Sequence, residues 1–222
     1  MSFALELIKR LTAWRTFLPP PAWFVIPWIL GGMGCGPAQP MPTSASTEEA
    51  PITITSPLPL LNLTGEEVDP FKTSEGKWLV FVFVSVDCPI SNRYAPEIQR
   101  LHQSFASKGV TFWLVHPNAD ETPEAIRKHT ADYRYACGVL RDPKHLLAKR
   151  AGATVVPEAA LLDRAGRLLY RGRIDNRFVE PGKERPEATE RDLEIALTAA
   201  VQGKPVLKPR SRAVGCYISG EP

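Results

Sequence analysis

The stretch that decides the fold runs from Trp78 to Gly109 and reads WLVFVFVSVDCPISNRYAPEIQRLHQSFASKG. Its first nine residues are apolar almost without a break, which predicts a strand that is buried on both faces. Apolar side chains then recur at spacings of three and four, at Ile98, Leu101 and Phe105, until a glycine ends the pattern. The sequence therefore predicts a buried strand followed by an amphipathic helix, with Cys88 where one becomes the other.

The chain after this stretch continues to alternate short β-rich runs with longer amphipathic ones. Strands are predicted at 60–63, 110–116, 138–141, 159–163 and 168–173, and helices at 123–133, 143–151 and 189–202. The last two strands flank a four-residue link that contains Gly166, which is typical of a β-hairpin. The pattern predicts an α/β fold with a central mixed β-sheet flanked by helices, over residues 60–202.

The composition limits the function classes that fit. The chain has 222 residues, of which 44% are hydrophobic and 23% are charged, as in ordinary folded proteins. The net charge of +3 indicates no basic face for nucleic acid, so no nucleic-acid partner is expected. A domain of this size needs no disulfide scaffold, so the four cysteines are open to other uses.

The amino end, residues 1–35, has the order of a secretory signal: basic residues, an apolar run from Ala22 to Met33, then Gly34-Cys35. The run is shorter than the roughly 20 residues that span a bilayer, and Pro27 interrupts it. The end of the run is similar to that of a bacterial lipoprotein signal, in which Cys35 would be lipidated. Simple cleavage and an uncleaved anchor stay open, and all three predict an exported protein of the cell envelope or periplasm. The lipidated or uncleaved forms would be anchored to the membrane by the amino end, which is the preferred prediction.

Two segments flank the predicted domain. Residues 36–59 contain six prolines among small polar residues and no helical period, which indicates a flexible linker. Residues 203–222 form a polar, basic tail that contains Cys216.

Cys88 has the setting of a reactive thiol. The first turn of a helix directs backbone N–H groups and the positive end of the helix dipole at the sulfur, and this favours the nucleophilic thiolate. The alternative is a buried structural cysteine, because free cysteines are often found in cores.

The order of strand, Cys88 at a helix start, strand, helix, then Val156-Pro157 before a hairpin and a last helix resembles the thioredoxin superfamily over residues 58–202. The resemblance implies that Cys88 is the redox nucleophile. It also implies that Pro157 is a cis-proline which, with Val156 and Ser91, shapes the docking site for a thiol or peptide partner.

The motif departs from the dithiol members, because Cys88-Pro89-Ile90-Ser91 has serine where they have a second cysteine. A single thiol cannot release a mixed disulfide, so a second cysteine must come from elsewhere in the chain or from a partner. The closer resemblance is to the redoxin and peroxiredoxin branch (the alkyl hydroperoxide reductase and thiol-specific antioxidant type). There a hydroxylated residue, here Ser85, precedes the cysteine by three positions, and a resolving cysteine often lies in the tail.

Two residues are candidates for the resolving thiol. The resemblance favours Cys216, 128 residues after Cys88, and Cys137 is the alternative unless it is a core residue. The resemblance also implies a cation near the nucleophile, for which Arg173 is the better match and Arg93 the other choice, unless Arg93 pairs with Glu97.

The predicted function is that of a membrane-tethered thiol-dependent oxidoreductase with no cofactor and no metal. Its substrate would be a protein or small-molecule thiol or disulfide, or a peroxide, and its reductant is not identified by the sequence. Phe81 stands where peroxiredoxins have proline, which counts against peroxidase activity. Two other classes stay open: a copper-binding or copper-delivery protein that uses Cys88, Cys216 and His116, and a non-catalytic module that binds partners.

Overall fold

The computed structural model describes residues 52–219. The strands in this part of the chain are β1 (Leu60–Leu61), β2 (Glu67–Val68), β3 (Trp78–Phe83), β4 (Val110–His116), β5 (Gly138–Arg141), β6 (Val155–Val156), β7 (Glu158–Asp163), β8 (Leu168–Gly172), β9 (Phe178–Glu180), β10 (Lys183–Glu184) and β11 (Cys216–Tyr217). The helices are α1 (Pro70–Thr73), α2 (Pro89–Arg93), α3 (Ala95–Phe105), α4 (Pro123–Asp132), α5 (Leu146–Ala151) and α6 (Asp192–Val201), and Ala106–Lys108 is a short 3-10 helix.

Seven strands form one mixed sheet in the order β2-β1-β5-β4-β3-β7-β8. The central strands β3, β4 and β5 are parallel, whereas β7 runs antiparallel to β3 and to β8. Two small sheets lie outside it: β9 pairs with β10, and β6 pairs with β11. The predicted α/β fold with a central mixed sheet is confirmed.

The core lies on both faces of β3, in which every residue after Trp78 is buried. The apolar face of α3 packs on this sheet, since Ile98, Leu101 and Phe105 are at most 4% exposed. The continuous apolar run of the sequence and its later helical period thus describe the centre of the domain.

The helix after Cys88 is divided in two, where the sequence pattern predicts one. Helix α2 ends at Arg93, and α3 begins at Ala95. Pro96 explains the break, because it has no N–H to donate to the carbonyl of Asn92, four residues earlier.

Helix α5 begins three residues later than the prediction at Pro143. The buried carboxylate of Asp142 accepts hydrogen bonds from the N–H groups of Leu146, Leu147 and Ala148 at 2.7, 2.9 and 2.9 Å. These are N–H groups that the first turn of a helix leaves unpaired, so Asp142 sets where the helix starts.

The predicted linker, residues 36–59, ends too late in the sequence, because its last residues belong to the folded domain. Ile54 and Leu58 are fully buried, and Ile54 N–H donates to the carbonyl of Gly166 at 2.7 Å. The N–H of Leu168 donates to Ile52 at 2.9 Å. Residues 52–58 are therefore part of the folded domain, because the isoleucine and leucine within the proline-rich segment supply apolar area to the core.

The carboxyl-terminal segment is also part of the domain and not a free tail. It runs alongside β8. The N–H of Arg171 donates to the carbonyl of Pro209 at 2.9 Å, and the N–H of Ser211 donates to the carbonyl of Arg171 at 3.0 Å. It then crosses to β6, with which β11 pairs in antiparallel register. Residues 203–219 are called the tail below.

None of the helices within residues 52–219 is both long and apolar enough to cross a membrane. The predicted signal at 1–35, the first part of the linker and the last residues of the tail lie outside the described residues.

Asp142→Ala is expected to lower the free energy of unfolding by about 2 kcal/mol, because three buried N–H groups lose their acceptor. The control is Asp132→Ala, which removes a half-exposed carboxylate paired with Lys128 and should cost less than about 0.5 kcal/mol. Urea denaturation of both variants measures the difference. Equal stabilities would show that Asp142 does not hold the start of α5.

Candidate functional site

Cys88 is the residue that precedes the first turn of α2, and it is 2% exposed. Its Sγ accepts a hydrogen bond from the N–H of Ser91 at 3.5 Å. Pro89 takes the first helical position, where the missing N–H costs nothing. Strand β3 and helix α2 thus fix the sulfur at a helix N-terminus, as the sequence predicts.

The loop after α5 brings a second element to the sulfur. The Cys88 thiol donates to the carbonyl of Val156 at 3.2 Å, and the Val156–Pro157 peptide bond is cis. Glu158 closes this loop, since its buried carboxylate accepts the N–H of Thr154 at 3.0 Å. Of the three residues that the sequence assigns to docking, Val156 and Pro157 therefore lie beside Cys88, and the third, Ser91, donates its N–H to the sulfur.

The tail brings a second thiol to the same place. Cys216 is the register partner of Val156 in the pairing of β11 with β6. The Cys88 thiol donates to the carbonyl of the same Val156, so the two cysteines are neighbours, and neither forms a disulfide in the structure. Burial, followed by the interaction with Cys88, raises the pKa of Cys216 to about 12. Cys216 is therefore a weaker acid than an ordinary cysteine.

The alternative cysteine lies elsewhere. Cys137 directly precedes Gly138, which pairs with Trp113 in the middle of β4, whereas Cys88 follows the end of β3 where Phe83 pairs with Val115. Burial raises the pKa of Cys137 to about 11, and its side chain packs against the core. The fold brings Cys88 to Cys216 and leaves Cys137 at the start of β5, level with the middle of β4.

Neither candidate arginine pairs with the sulfur. The guanidinium of Arg173 donates to Asp192 at 2.7 Å and to Glu190 at 2.6 Å, at the start of α6. Arg93 pairs with Glu184 of β10 at 2.7 Å. Carboxylates are thus the partners of both cations, and the sequence-based pairing of Arg93 with Glu97 is wrong.

Glu97 is instead the partner of two other arginines, Arg100 and Arg191, at 2.7 and 2.8 Å. Asp87, next to Cys88, is exposed, so its charge faces water and not the sulfur.

A buried polar network lies under the loop between β3 and Cys88. Glu121 accepts from the N–H of Val86 at 3.3 Å and from Asn118 Nδ2 at 2.9 Å, and its other oxygen is 2.6 Å from His116 Nδ1. Asn118 Nδ2 also donates to Ser85 Oγ at 3.2 Å. Ser85, the predicted hydroxylated residue, therefore belongs to this network.

The network also determines the charge of its carboxylate. Burial alone would raise the pKa of Glu121, but its hydrogen bond and charge interaction with His116, and its hydrogen bonds with Ser85 and Asn118, outweigh burial and lower it. A buried carboxylate is thereby held ionised beneath the Cys88 loop.

The network reaches the tail as well. Asn118 Oδ1 accepts the N–H of Ser219 at 3.0 Å, just after β11. On its other side, His129 Nε2 lies 2.7 Å from Asn92 Oδ1 of α2, and the Asn92 amide donates to Val86 at 3.0 Å. The same polar groups therefore support both the start of α2 and the docked tail.

Comparison with known proteins identifies the family. The AhpC/TSA family profile matches residues 49–171, which is more than half of the chain. The chain belongs to the AhpC/TSA family. Among curated proteins, none matches the sequence.

Two solved structures are similar to this AhpC/TSA protein. A hypothetical protein from Sinorhizobium meliloti 1021 is 26% identical, with a TM-score of 0.63 over 72% of this chain and 89% of that one. An uncharacterized conserved protein from Geobacillus kaustophilus is also 26% identical, with a TM-score of 0.67 over 78% of this chain and 93% of that one. The family match, together with the mixed sheet, Cys88 at the start of α2 and the cis-Pro157 loop beside it, confirms the thioredoxin-like resemblance.

The copper alternative lacks a ligand set in the described residues. Within 52–219, no three His, Cys, Asp or Glu side chains are grouped so that they could hold a metal ion. Of the third proposed ligand, His116, the Nδ1 atom is paired with Glu121 at 2.6 Å.

Three residues of the site, Asn118, Glu121 and Glu158, were not predicted from the sequence. Their only sequence signal is position: the first two follow the end of β4, which lies beside β3 in the sheet, and the third follows the cis-proline. A carboxylate just after a buried parallel strand is a signal that could have found Glu121.

Glu121→Gln is expected to weaken the acid sensitivity of the fold. Because the folded-state pKa of Glu121 is lowered, its carboxylate stabilises the fold above the ordinary pKa, and this contribution is lost as the pH falls through the lowered value. The stability difference between wild type and variant should therefore shrink between about pH 5 and pH 3. Urea midpoints across this range measure it, with the exposed Glu75→Gln as control. A constant difference would contradict the assignment.

Proposed function

We propose that this AhpC/TSA protein is a thiol-dependent oxidoreductase in which Cys88 and Cys216 alternate between a dithiol and a disulfide. The observation that carries the proposal is the contact of the two thiols, which the pairing of β11 with β6 creates. A resolving thiol that already touches the nucleophile needs only a small displacement to bond with it.

The two cysteines have different roles because their surroundings differ. Cys88 lies at the N-terminus of α2 and its sulfur accepts the N–H of Ser91, which is the setting of a nucleophilic cysteine, so we assign Cys88 as the nucleophile. Cys216, whose pKa is raised to about 12 mainly by burial, is the weaker nucleophile and attacks only after Cys88 has reacted. It then acts as the resolving cysteine.

A disulfide substrate is the first choice. The Cys88 thiolate attacks one sulfur of the substrate and expels the other as a thiolate, which leaves a mixed disulfide on Cys88. Cys216 then loses its proton and attacks Cys88 Sγ, which releases the second substrate thiolate and forms the Cys88–Cys216 disulfide. The substrate gains two electrons, and a dithiol reductant returns them to the protein. The docking residues Val156 and Pro157 beside the sulfur support this choice.

A peroxide is the second candidate, because the resemblance to alkyl hydroperoxide reductases and the family membership favour it. The Cys88 thiolate would take one oxygen to form a sulfenic acid, with release of an alcohol or water, and Cys216 would condense with it to form the disulfide and water. Arg93 and Arg173 pair with carboxylates and not with the reacting sulfur. Neither candidate cation is therefore placed to assist a peroxide reaction, which makes this candidate the weaker one.

Cys216→Ser tests the redox pair. With oxidised glutathione, the wild type is expected to form the Cys88–Cys216 disulfide, whereas Cys216→Ser should accumulate glutathione on Cys88 at about one per chain, because the resolving thiol is gone. Cys137→Ser is the matched control and should behave as the wild type. Peptide mapping by mass spectrometry measures all three.

A parallel reaction with stoichiometric hydrogen peroxide separates the two substrates. Rapid linkage with peroxide would favour the peroxidase, and linkage only with glutathione would favour disulfide exchange. Normal turnover by Cys216→Ser would contradict the role of the tail. Failure of both oxidants to link the cysteines would favour the non-catalytic binding module.

We also propose that the protein is exported and tethered to a membrane through Cys35. The support is the basic and apolar order of residues 1–35, which ends in Gly34-Cys35, followed by the proline-rich linker. Cys35→Ala should release the protein from the membrane fraction of expressing cells or block its processing. Membrane-bound variant of unchanged mass would instead indicate an uncleaved anchor.

A further inference from the structure

Strand β6 stands outside the seven-stranded sheet, and within the described residues its strand partner is the tail. Cys216 and Tyr217 pair with Val156 and Val155, and the N–H of Ile218 donates to the carbonyl of Thr154 at 3.1 Å. The tail thus occupies the backbone edge of the loop that carries the cis-proline.

The docked tail also closes the site. Cys88 is only 2% exposed, and Cys216 lies against its sulfur. In the state in which β11 is paired with β6, Cys88 therefore offers almost no surface to an external thiol or disulfide. Departure of the tail would leave the backbone groups of residues 154–156 unpaired, and an extended segment of another chain could pair with them in its place.

We propose that the tail is an exchangeable occupant of this edge, and that it competes there with an extended, cysteine-bearing segment of the protein partner. The inference rests on the proposed function in that Cys88 is the thiol which the partner must reach. Opening of the site is then the release of one strand, and closure is its return.

The contacts of the tail define the sequence requirements for such a segment. A Cβ atom on Gly215 would lie 2.1 Å from the carbonyl oxygen of Val156, so the residue before the cysteine must be glycine. The side chain of Tyr217, after the cysteine, is exposed and can vary. The residue at the place of Ser219 needs a free N–H for Asn118 Oδ1. The partner segment is therefore an extended strand with a Gly-Cys pair.

The test measures how fast Cys88 reacts with a bulky maleimide in the full chain. All proteins carry Cys216→Ser, which removes the second thiol and keeps the tail. Adding Gly215→Val should raise the rate at Cys88 by about tenfold or more, because the clash with Val156 undocks the strand. Tyr217→Val is the matched control and should change the rate by less than about twofold. Mass spectrometry of the Cys88 peptide gives the rate, and circular dichroism checks the fold.

A synthetic peptide tests the exchange directly. The sequence of residues 210–219 with Cys216→Ser, added to the undocked protein, should slow the maleimide reaction, and the same peptide with Gly215→Val should not. Equal rates in docked and undocked proteins would overturn the closed state, and equal effects of the two peptides would overturn the Gly-Cys requirement. Since every protein here lacks Cys216, these results do not depend on whether the Cys88–Cys216 disulfide forms.

Discussion

The sulfur of Cys88 is held by three groups that come from distant parts of the chain: the N–H of Ser91 in α2, the carbonyl of Val156 before the cis-proline, and the thiol of Cys216 in the tail. The N–H of Ser91 donates a hydrogen bond to the sulfur, and the Cys88 thiol donates one to the Val156 carbonyl. The site depends on these contacts, because any change that moves the tail or the proline loop alters the surroundings of Cys88 as well as its exposure.

The polar network beneath the site supports both the Cys88 loop and the tail. A buried carboxylate is costly unless it is paired, and Glu121 is paired with His116, Asn118 and the backbone of Val86. Asn118 also accepts from the tail at Ser219. The loop that presents Cys88 and the segment that presents Cys216 therefore share one support, so the two thiols are positioned together.

The sequence was sufficient for the parts of the fold that periodic burial determines. The bounds of β4 and β5 match the predicted 110–116 and 138–141, because each is a short run with a clear end. It was insufficient for the tail, whose basic and proline-containing residues have no period and dock through backbone pairing and one close glycine. The partner of Arg93 and the carboxylate network could not be predicted from the sequence either, since those contacts join residues that only the folded chain brings together.

Ser91 stands where dithiol proteins have a second cysteine. In its place, strand pairing in the folded chain brings Cys216 to Cys88. In a Cys-x-x-Cys motif the resolving thiol is held by one helical turn, and it stays near the nucleophile in every state of the protein. Here it is held by the two-residue pairing of β11 with β6, which can open without disturbing the sheet. Under the proposed function, the docked state gives Cys216 the high local concentration that fast resolution needs, and Cys88 is buried in that state. The same proposal makes fast resolution and access for a protein partner alternatives, between which the position of the tail decides.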